Sequence, residues 1–365
     1  MDPRPRWAGV DAARGLAVLG MIAAHTVPRP GGLGAEELVV DGRPSLLFAL
    51  VAGVALGLMT GQDAPPPAGA RSEPRLRLVI RALALLAAGI LLWLLPHGIA
   101  VILDYYGVMF LLMVPLLFLP RWGLALVAAA VLAVAPALRD AVVRAGAPEH
   151  EPAATVVDYL LTGWYPALLW VPVLAVGLLA ARSGLARRRV RLALVLGGAT
   201  ASVAGYGAGA LLPRIPTGAG PGLGLGDVTA EAHSGTIAEL LGSGGLAAAV
   251  LGLLLIALDP VGPARIERGA GRGATALRLV LEPLRALGRV ALTVYVGHVL
   301  VIAALSPLGG AGRFEGVVGW GILIVLSVAG VAIGLACEAF GRRGPLEAAL
   351  SGLAALPFRP ARVTD

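Results

Sequence analysis

The chain contains no lysine: all 29 basic residues among its 365 are arginine. It has one cysteine, Cys337, inside an apolar run, so it can build neither a disulfide framework nor a cysteine metal site. Charge is scarce. Asp, Glu and Arg make up 14% of the residues, against about 25% in soluble globular proteins. Several chemical signatures are missing as well. There is no P-loop, no G-x-S-x-G, no H-E-x-x-H and no Cys/His zinc spacing. The glycines of the apolar runs follow no strand, which removes a dinucleotide-binding reading. The formal charge of +7 is dispersed over short loops and does not point to nucleic acid. Arginine in place of lysine, with 51 Gly and 27 Pro, is the composition of a GC-rich bacterial genome.

What is present is apolar. Hydrophobic residues make up 58% of the chain, and mean hydropathy is +0.84. Runs of about 20 apolar residues recur along the whole length, the pattern of a polytopic, all-α transmembrane helix bundle. The runs predict ten spans, near 9–27, 45–61, 78–95, 101–119, 122–138, 165–181, 192–212, 240–258, 287–305 and 317–338. They are expected to form one domain over 1–365. Arginine placement sets the orientation. With both termini in the cytoplasm, only Arg29, Arg43, Arg139, Arg144, Arg214 and Arg313 fall outside. The start, Met1 to Trp7, carries two Arg but no small-residue cleavage site follows, so it is expected to be retained. In the second span Gly53 and Gly57 have the G-x-x-x-G spacing of close helix contact.

The first span, VDAARGLAVLGMIAAHTV from Val10 to Val27, carries Asp11 and Arg14 near one end and His25 near the other. Ionisable residues in a span are costly and mark functional candidates. Asp11 and Arg14 are three apart, hence on one helix face, and can pair. Their bland reading is a structural pair; their functional one is that Arg14 holds an anionic donor arriving from the cytoplasm. In the expected topology all five histidines (His25, His97, His150, His233, His298) fall toward the outer side. Asp104 and eleven other acids join them. His25 and His298 lie within spans, so each should face the bundle interior or water. A neutral imidazole there can take a proton from an acceptor hydroxyl. A hydrogen-bonded structural histidine is the bland alternative.

The first span resembles the opening of a family of membrane proteins, the heparan-alpha-glucosaminide N-acetyltransferase-like proteins and the related bacterial YeiB-like proteins. The likeness continues in order through GRPSLLFALVAGVALGL (42–58), ILDYYGVMFLL (102–112) and WYPALLWVPVLAVGLLAAR (164–182). It runs on in HSGTIAELLGSGGLAAAVLGLLLI (233–256), LGRVALTVYVGHVLV (287–301) and, on the YeiB-like side, GPLEAAL (344–350). The resemblance implies a transmembrane acyltransferase. It would move an acetyl or similar group from cytoplasmic acetyl-CoA to a sugar or glycolipid on the other side. The family's D-x-x-R-G is matched by Asp11, Arg14 and Gly15. Lysosomal members carry a catalytic histidine in the loop after the first span. Loop 28–44 has none here, so the role falls to His25.

The expected function is therefore acyl transfer from acyl-CoA to a cell-envelope saccharide or glycolipid, in a bacterial plasma membrane. His25, His298 and His233 are the catalytic candidates. Asp11, Arg14, Tyr295, Arg43 and Asp104 are the substrate- or donor-binding candidates. No metal and no nucleic acid are expected; membrane lipid and a second copy of the chain are possible partners. A transporter or flippase with the same polar residues along a path is the alternative.

Overall fold

A computed structural model describes residues 6–27, 39–146, 150–212, 228–259, 272–306 and 319–358. The remainder of the loop after the first span (28–38), part of the long Gly/Pro-rich loop (213–227) and both chain ends lie outside the described residues. Every described element is helical. In order these are α1 (Ala8–Thr26), α2 (Arg43–Met59), α3 (Ser72–Trp93), α4 (Leu103–Met113) and α5 (Arg121–Ala145). Then come α6 (Ala153–Val157), α7 (Ala167–Ser183), α8 (Arg188–Leu211) and α9 (Ile237–Leu258). The chain closes with α10 (Arg272–Arg289), α11 (Ala291–Leu305), α12 (Trp320–Ala339) and α13 (Pro345–Ala355). Proline stands in the first turn of α2 (Pro44) and of α13 (Pro345), where its missing N–H would have had no helical partner.

Five helices are long and apolar enough to cross a membrane: α3, α5, α8, α9 and α12. The number rises to seven if two bent pairs each make one span, 153–162 with α7 (44°) and 275–289 with α11 (76°). Ten spans were expected. The difference has physical causes. Helix α1 has the length, 19 residues, but Asp11, Arg14 and His25 interrupt its apolar run. Helix α2 has 17 residues and α4 only 11, so the expected 101–119 span ends in turns. Spans 165–181 and 287–305 are the α7 and α11 portions of the bent pairs. The polar stretch 139–164, expected as a loop, is largely helical: α5 runs on to Ala145, and α6 passes into a π-turn at Asp158–Thr162.

The outward faces explain why the chain is a multi-pass membrane protein. Trp122, Leu126 and Val134 on α5 and Ile324, Val325 and Val328 on α12 are exposed. Apolar surface on this scale is unstable against water and suited to lipid. Helix α1 is the exception to that pattern. It packs against α2, α9, α10, α11 and α12 and buries Val10, Ala13, Ala17, Val18 and Ile22. A helix surrounded by protein can carry charge that a lipid-facing helix cannot.

Small residues set the closest approaches. A Cβ on Gly53 of α2 would run into the Leu174 carbonyl of α7, and one on Gly177 would run into the Leu50 carbonyl. A Cβ on Gly57 would run into the Ala181 methyl, which is fixed to the α7 backbone, and would press on Leu178. The G-x-x-x-G spacing of α2 is therefore the seam with α7. A second seam joins Gly15 of α1 to Leu284 and Gly288 of α10. These two seams fix α1 and α2 in the middle of the bundle.

Candidate functional site

Polar side chains gather at both ends of α1. At its C-terminal end, Nδ1 of His25 lies 3.0 Å from Nε2 of His298 on α11. The two rings are stacked, 12° apart in plane. The partners are 273 residues apart in the chain. His298 is buried, and its Nδ1 has no hydrogen-bond partner. Tyr295, one turn earlier on α11, packs edge-on against the His298 ring at 5.0 Å. Its hydroxyl accepts the Ile102 N–H at 3.1 Å, which ties α11 to the start of α4.

Asp104 lies two residues beyond Ile102, in the first turn of α4. Its Oδ2 accepts from Trp93 Nε1 (2.9 Å) and from the Tyr159 hydroxyl (2.8 Å), while its Oδ1 is buried without a partner. Aromatic contacts extend the cluster. Tyr159 packs on Tyr105, Tyr105 on Tyr165, and Tyr165 on the ring of His233 at 5.3 Å. Tyr105 also donates to Asp158 at 2.7 Å. His97 sits in the turn after α3. Its Nδ1 accepts the Ile99 N–H, so its Nε2 carries the proton that goes to the Leu92 carbonyl.

His233 belongs to the same end but to a different arrangement. It precedes α9 in a left-handed conformation, φ 61°. Its ring touches Trp164 and Tyr165, and its N–H donates to Glu239 Oε1 at 2.6 Å. Glu239 also accepts the Gly235 N–H at 2.7 Å, while Thr236 Oγ1 accepts the Glu239 N–H at 3.0 Å. Thr236 is thus the N-cap of α9, and Glu239 reaches back past it to the His233 and Gly235 amides, a variant of the capping box spelled T-x-x-E at 236–239. Arg43 opens α2 and donates to the Tyr206 hydroxyl at 2.8 Å; that hydroxyl pairs with Ser243 Oγ at 2.9 Å. The contacts of Arg43 and His233 thus tie down α8 and α9, whereas Tyr295 contacts the histidine pair directly and Asp104 joins it through the start of α4.

The other end of α1 is arginine-rich. Asp11 accepts from Arg6 (2.5 Å) and from Arg14 (3.1 Å), and its side chain is 6% exposed. Arg14 also reaches the Gly288 carbonyl at 3.4 Å. These residues, with Trp7, Val10, Leu58 and Gln62, line a cavity of about 210 Å³. Asp259, at the end of α9, receives the Ala8 and Gly9 N–H groups at 2.9 and 2.7 Å. A carboxylate at a helix N-terminus is favoured by the unpaired amides and the helix dipole. Burial still pushes the Asp259 carboxyl above the ordinary carboxylate range; the Gly9 and Ala8 amides and Arg191 oppose that shift. Asp259→Ala is expected to lower stability by about 1–2 kcal/mol, the usual cost of a lost N-cap. A thermal melt in detergent reads this, and an unchanged midpoint contradicts the capping role.

Two features of this end carry no distinctive local sequence signal. Arg182 is buried and donates to the carbonyls of Thr60, Gln62 and Leu117, joining α7 to the ends of α2 and α4. Arg191 does the same for Leu185, Leu255 and Asp259. An arginine at the edge of an apolar run reads equally as an orientation signal or as a buried clamp. Among the described residues no group of three or more His, Cys, Asp or Glu side chains is placed to hold a metal ion.

The structure therefore separates the candidates into two sets. His25, His298, Tyr295 and Asp104 share one end; Asp11 and Arg14 share the other. His25 stands fourteen positions beyond Asp11 along α1, about 21 Å at the helical rise per residue. No curated protein matches the chain. Residues 270–356, which include Tyr295 and His298, match a family described as protein of unknown function, DUF418. Residues 6–212, from the Arg6–Asp11–Arg14 cluster through His25 to the end of α8, match the family described as heparan-alpha-glucosaminide N-acetyltransferase, catalytic. That segment is more than half of the 365 residues and holds the core helices α1 to α8, so the chain belongs to the heparan-alpha-glucosaminide N-acetyltransferase catalytic family.

Proposed function

We propose that this protein transfers an acyl group from cytoplasmic acyl-CoA to a hydroxyl- or amine-bearing saccharide or glycolipid on the opposite face of a bacterial plasma membrane. The observation that carries the reading is the His25–His298 pair, two imidazoles from distant helices held at hydrogen-bond distance. In the tautomer where His25 Nδ1–H donates to His298, the His25 lone pair lies on Nε2, facing away from the pair. An acceptor hydroxyl gives its proton to this nitrogen as its oxygen attacks the thioester carbonyl. The new C–O bond forms, the C–S bond breaks, and the thiol sulfur takes the proton back from the imidazolium. His298 stabilises the charged intermediate state of His25, because a hydrogen bond to an ionised donor is about twice as strong as a neutral one. Asp104 Oδ1, buried and unpaired, supports a role in accepting a second hydroxyl of the sugar.

The donor side rests on charge and place. Arg6 and Arg14 flank a cavity of about 210 Å³ at the arginine-rich end, where the positive-inside rule puts the cytoplasm. An adenine nucleotide's phosphates fit such a pair of guanidinium groups. Arg14→Ala is expected to raise KM for acetyl-CoA about tenfold or more with a smaller effect on kcat, as for a lost charge-assisted hydrogen bond. Equal losses in kcat and kcat/KM would move Arg14 to the reacting centre instead.

The test is reconstitution. Purified protein in sugar-loaded liposomes is given labelled acetyl-CoA outside. Labelled sugar inside, lost with His25→Ala, supports the reading. Mass spectrometry of envelope saccharides and lipids from wild-type, deletion and His25→Ala strains then identifies the acceptor. Unchanged acetyl-CoA in the presence of extracted envelope material would overturn acyl transfer and return the chain to the transporter reading.

A further inference from the structure

A slot of about 710 Å³ opens on the side of the bundle between α5, α7, α8 and α9. It shares no residue with the histidine cluster or the Arg14 cavity. Its wall is apolar along most of its length, with Leu132, Val173, Val176, Leu194 and Leu240 among the lining. Its polar groups lie at one end. Arg121 is the first residue of α5, Ser183 the last of α7 and Arg189 the second of α8. All three lie at the arginine-rich end. Along α8 the lining runs from Arg189 to Ala201, about 18 Å at the helical rise. That is close to the depth of one leaflet, half of a hydrocarbon core of about 30 Å.

Three observations say what fills it. First, the slot is made by glycines that packing does not require. A Cβ on Gly197 would meet nothing, and one on Gly244 would only touch the Val173 side chain at ordinary distance. Their neighbours Gly198 and Gly245 are different, since each abuts the backbone of the facing helix. The α8–α9 seam therefore needs Gly198 and Gly245, whereas Gly197 and Gly244 only keep the slot open. Second, Arg121 and Arg189 are exposed and make no ion pair or hydrogen bond among the described residues, while nearby Arg187 pairs with Asp63. Third, Trp122 beside Arg121 is 73% exposed, as an indole at a membrane–water interface would be.

We propose that this slot is a binding site for one anionic phospholipid of the leaflet at the arginine-rich end. The acyl chain occupies the apolar wall, and the phosphate lies between Arg121 and Arg189 with Ser183 as a further donor. The assignment does not depend on acyl transfer, because it uses neither the histidine pair nor the donor cavity.

Native mass spectrometry of the purified full-length chain in mild detergent tests it, with dioleoylphosphatidylglycerol titrated against dioleoylphosphatidylcholine. Two arginines near a lipid phosphate predict a preference of about 30-fold for the anionic lipid. Arg121→Ala/Arg189→Ala should abolish the preference, with both lipids then binding alike. Gly197→Leu should remove the retained lipid of either kind while the thermal midpoint stays equal or rises, since the new side chain enters open space. Adding glycerol 3-phosphate should not displace the lipid, which separates a lipid site from a free-phosphate site. Equal binding of the two lipids by the wild-type chain would overturn the proposal. So would an unchanged preference in the arginine variant. Lipid retention unaffected by Gly197→Leu in a protein of normal melting behaviour overturns it too. A change from dimer to monomer in that variant without a change in lipid would assign the slot to a second copy of the chain.

Discussion

His25→Ala and His298→Ala are each expected to lower acyl transfer by about 10²- to 10⁴-fold, the range for removing a general acid–base group. The double variant should lose no more than the worse single variant. Two imidazoles joined by one hydrogen bond act as a unit, and losses within a unit do not add. If the two losses multiply, the residues act independently and stabilisation of His25 by His298 fails as an account. The structural alternative is separated by a second measurement. His298 is buried, so its truncation also leaves a cavity, and large-to-small core changes cost about 2–5 kcal/mol. His298→Gln keeps volume and a hydrogen-bonding end. A variant that melts near wild type yet stays inactive assigns His298 to the reaction. One that recovers activity assigns it to support of His25.

Gly53→Leu should be among the most damaging changes to the fold. The Gly53 Cα faces the Leu174 backbone carbonyl, and Gly177 faces the Leu50 carbonyl in return. A flexible neighbour can rotate away from a new side chain, but a backbone carbonyl in a helix cannot. Helices α2 and α7 must separate, and the polar network that Arg182 anchors to Thr60 and Gln62 at the ends of the same two helices must open with them. Overpacking alone costs about 1–3 kcal/mol and occasionally more, and unpairing buried carbonyls adds about 1–3 kcal/mol for each group. We therefore expect little folded protein from Gly53→Leu by size-exclusion chromatography in detergent. Gly207→Ala on α8 is the control, because a Cβ there has no neighbour within 4 Å, and it should cost far less. Equal expression of both variants would contradict a backbone-to-backbone seam.

The sequence by itself determined the class. Apolar runs, 14% charge and an absence of soluble-enzyme signatures require a helical membrane bundle, because lipid leaves no other way to pair backbone groups in a span built from such runs. It also carried the family, through ordered short segments around Asp11, Arg14 and His25. The G-x-x-x-G of α2 was legible because close packing restricts residue size at a fixed spacing. Span number was less legible. An apolar window of 17 residues can be a short helix, half of a bent pair or a full span, and hydropathy does not record where a helix stops. Helix α1 reverses the problem: its charges weaken its span signal, yet its neighbours in space shelter them.

Only the tertiary structure decided which polar residues meet. His25 and His298 are 273 residues apart, and no local pattern relates positions on helices that pair only after the chain has folded. The same holds for Asp259 at the start of α1 and for the Arg182 clamp. His233 is a catalytic candidate by sequence; where its ring lies, beside Trp164 and Tyr165 with its backbone N–H held by Glu239, is a tertiary fact. Local chemistry, in cap, turn and span, is written at short spacing. The site is made of long-range contacts, and those exist only where two helices have been brought together by packing on a third.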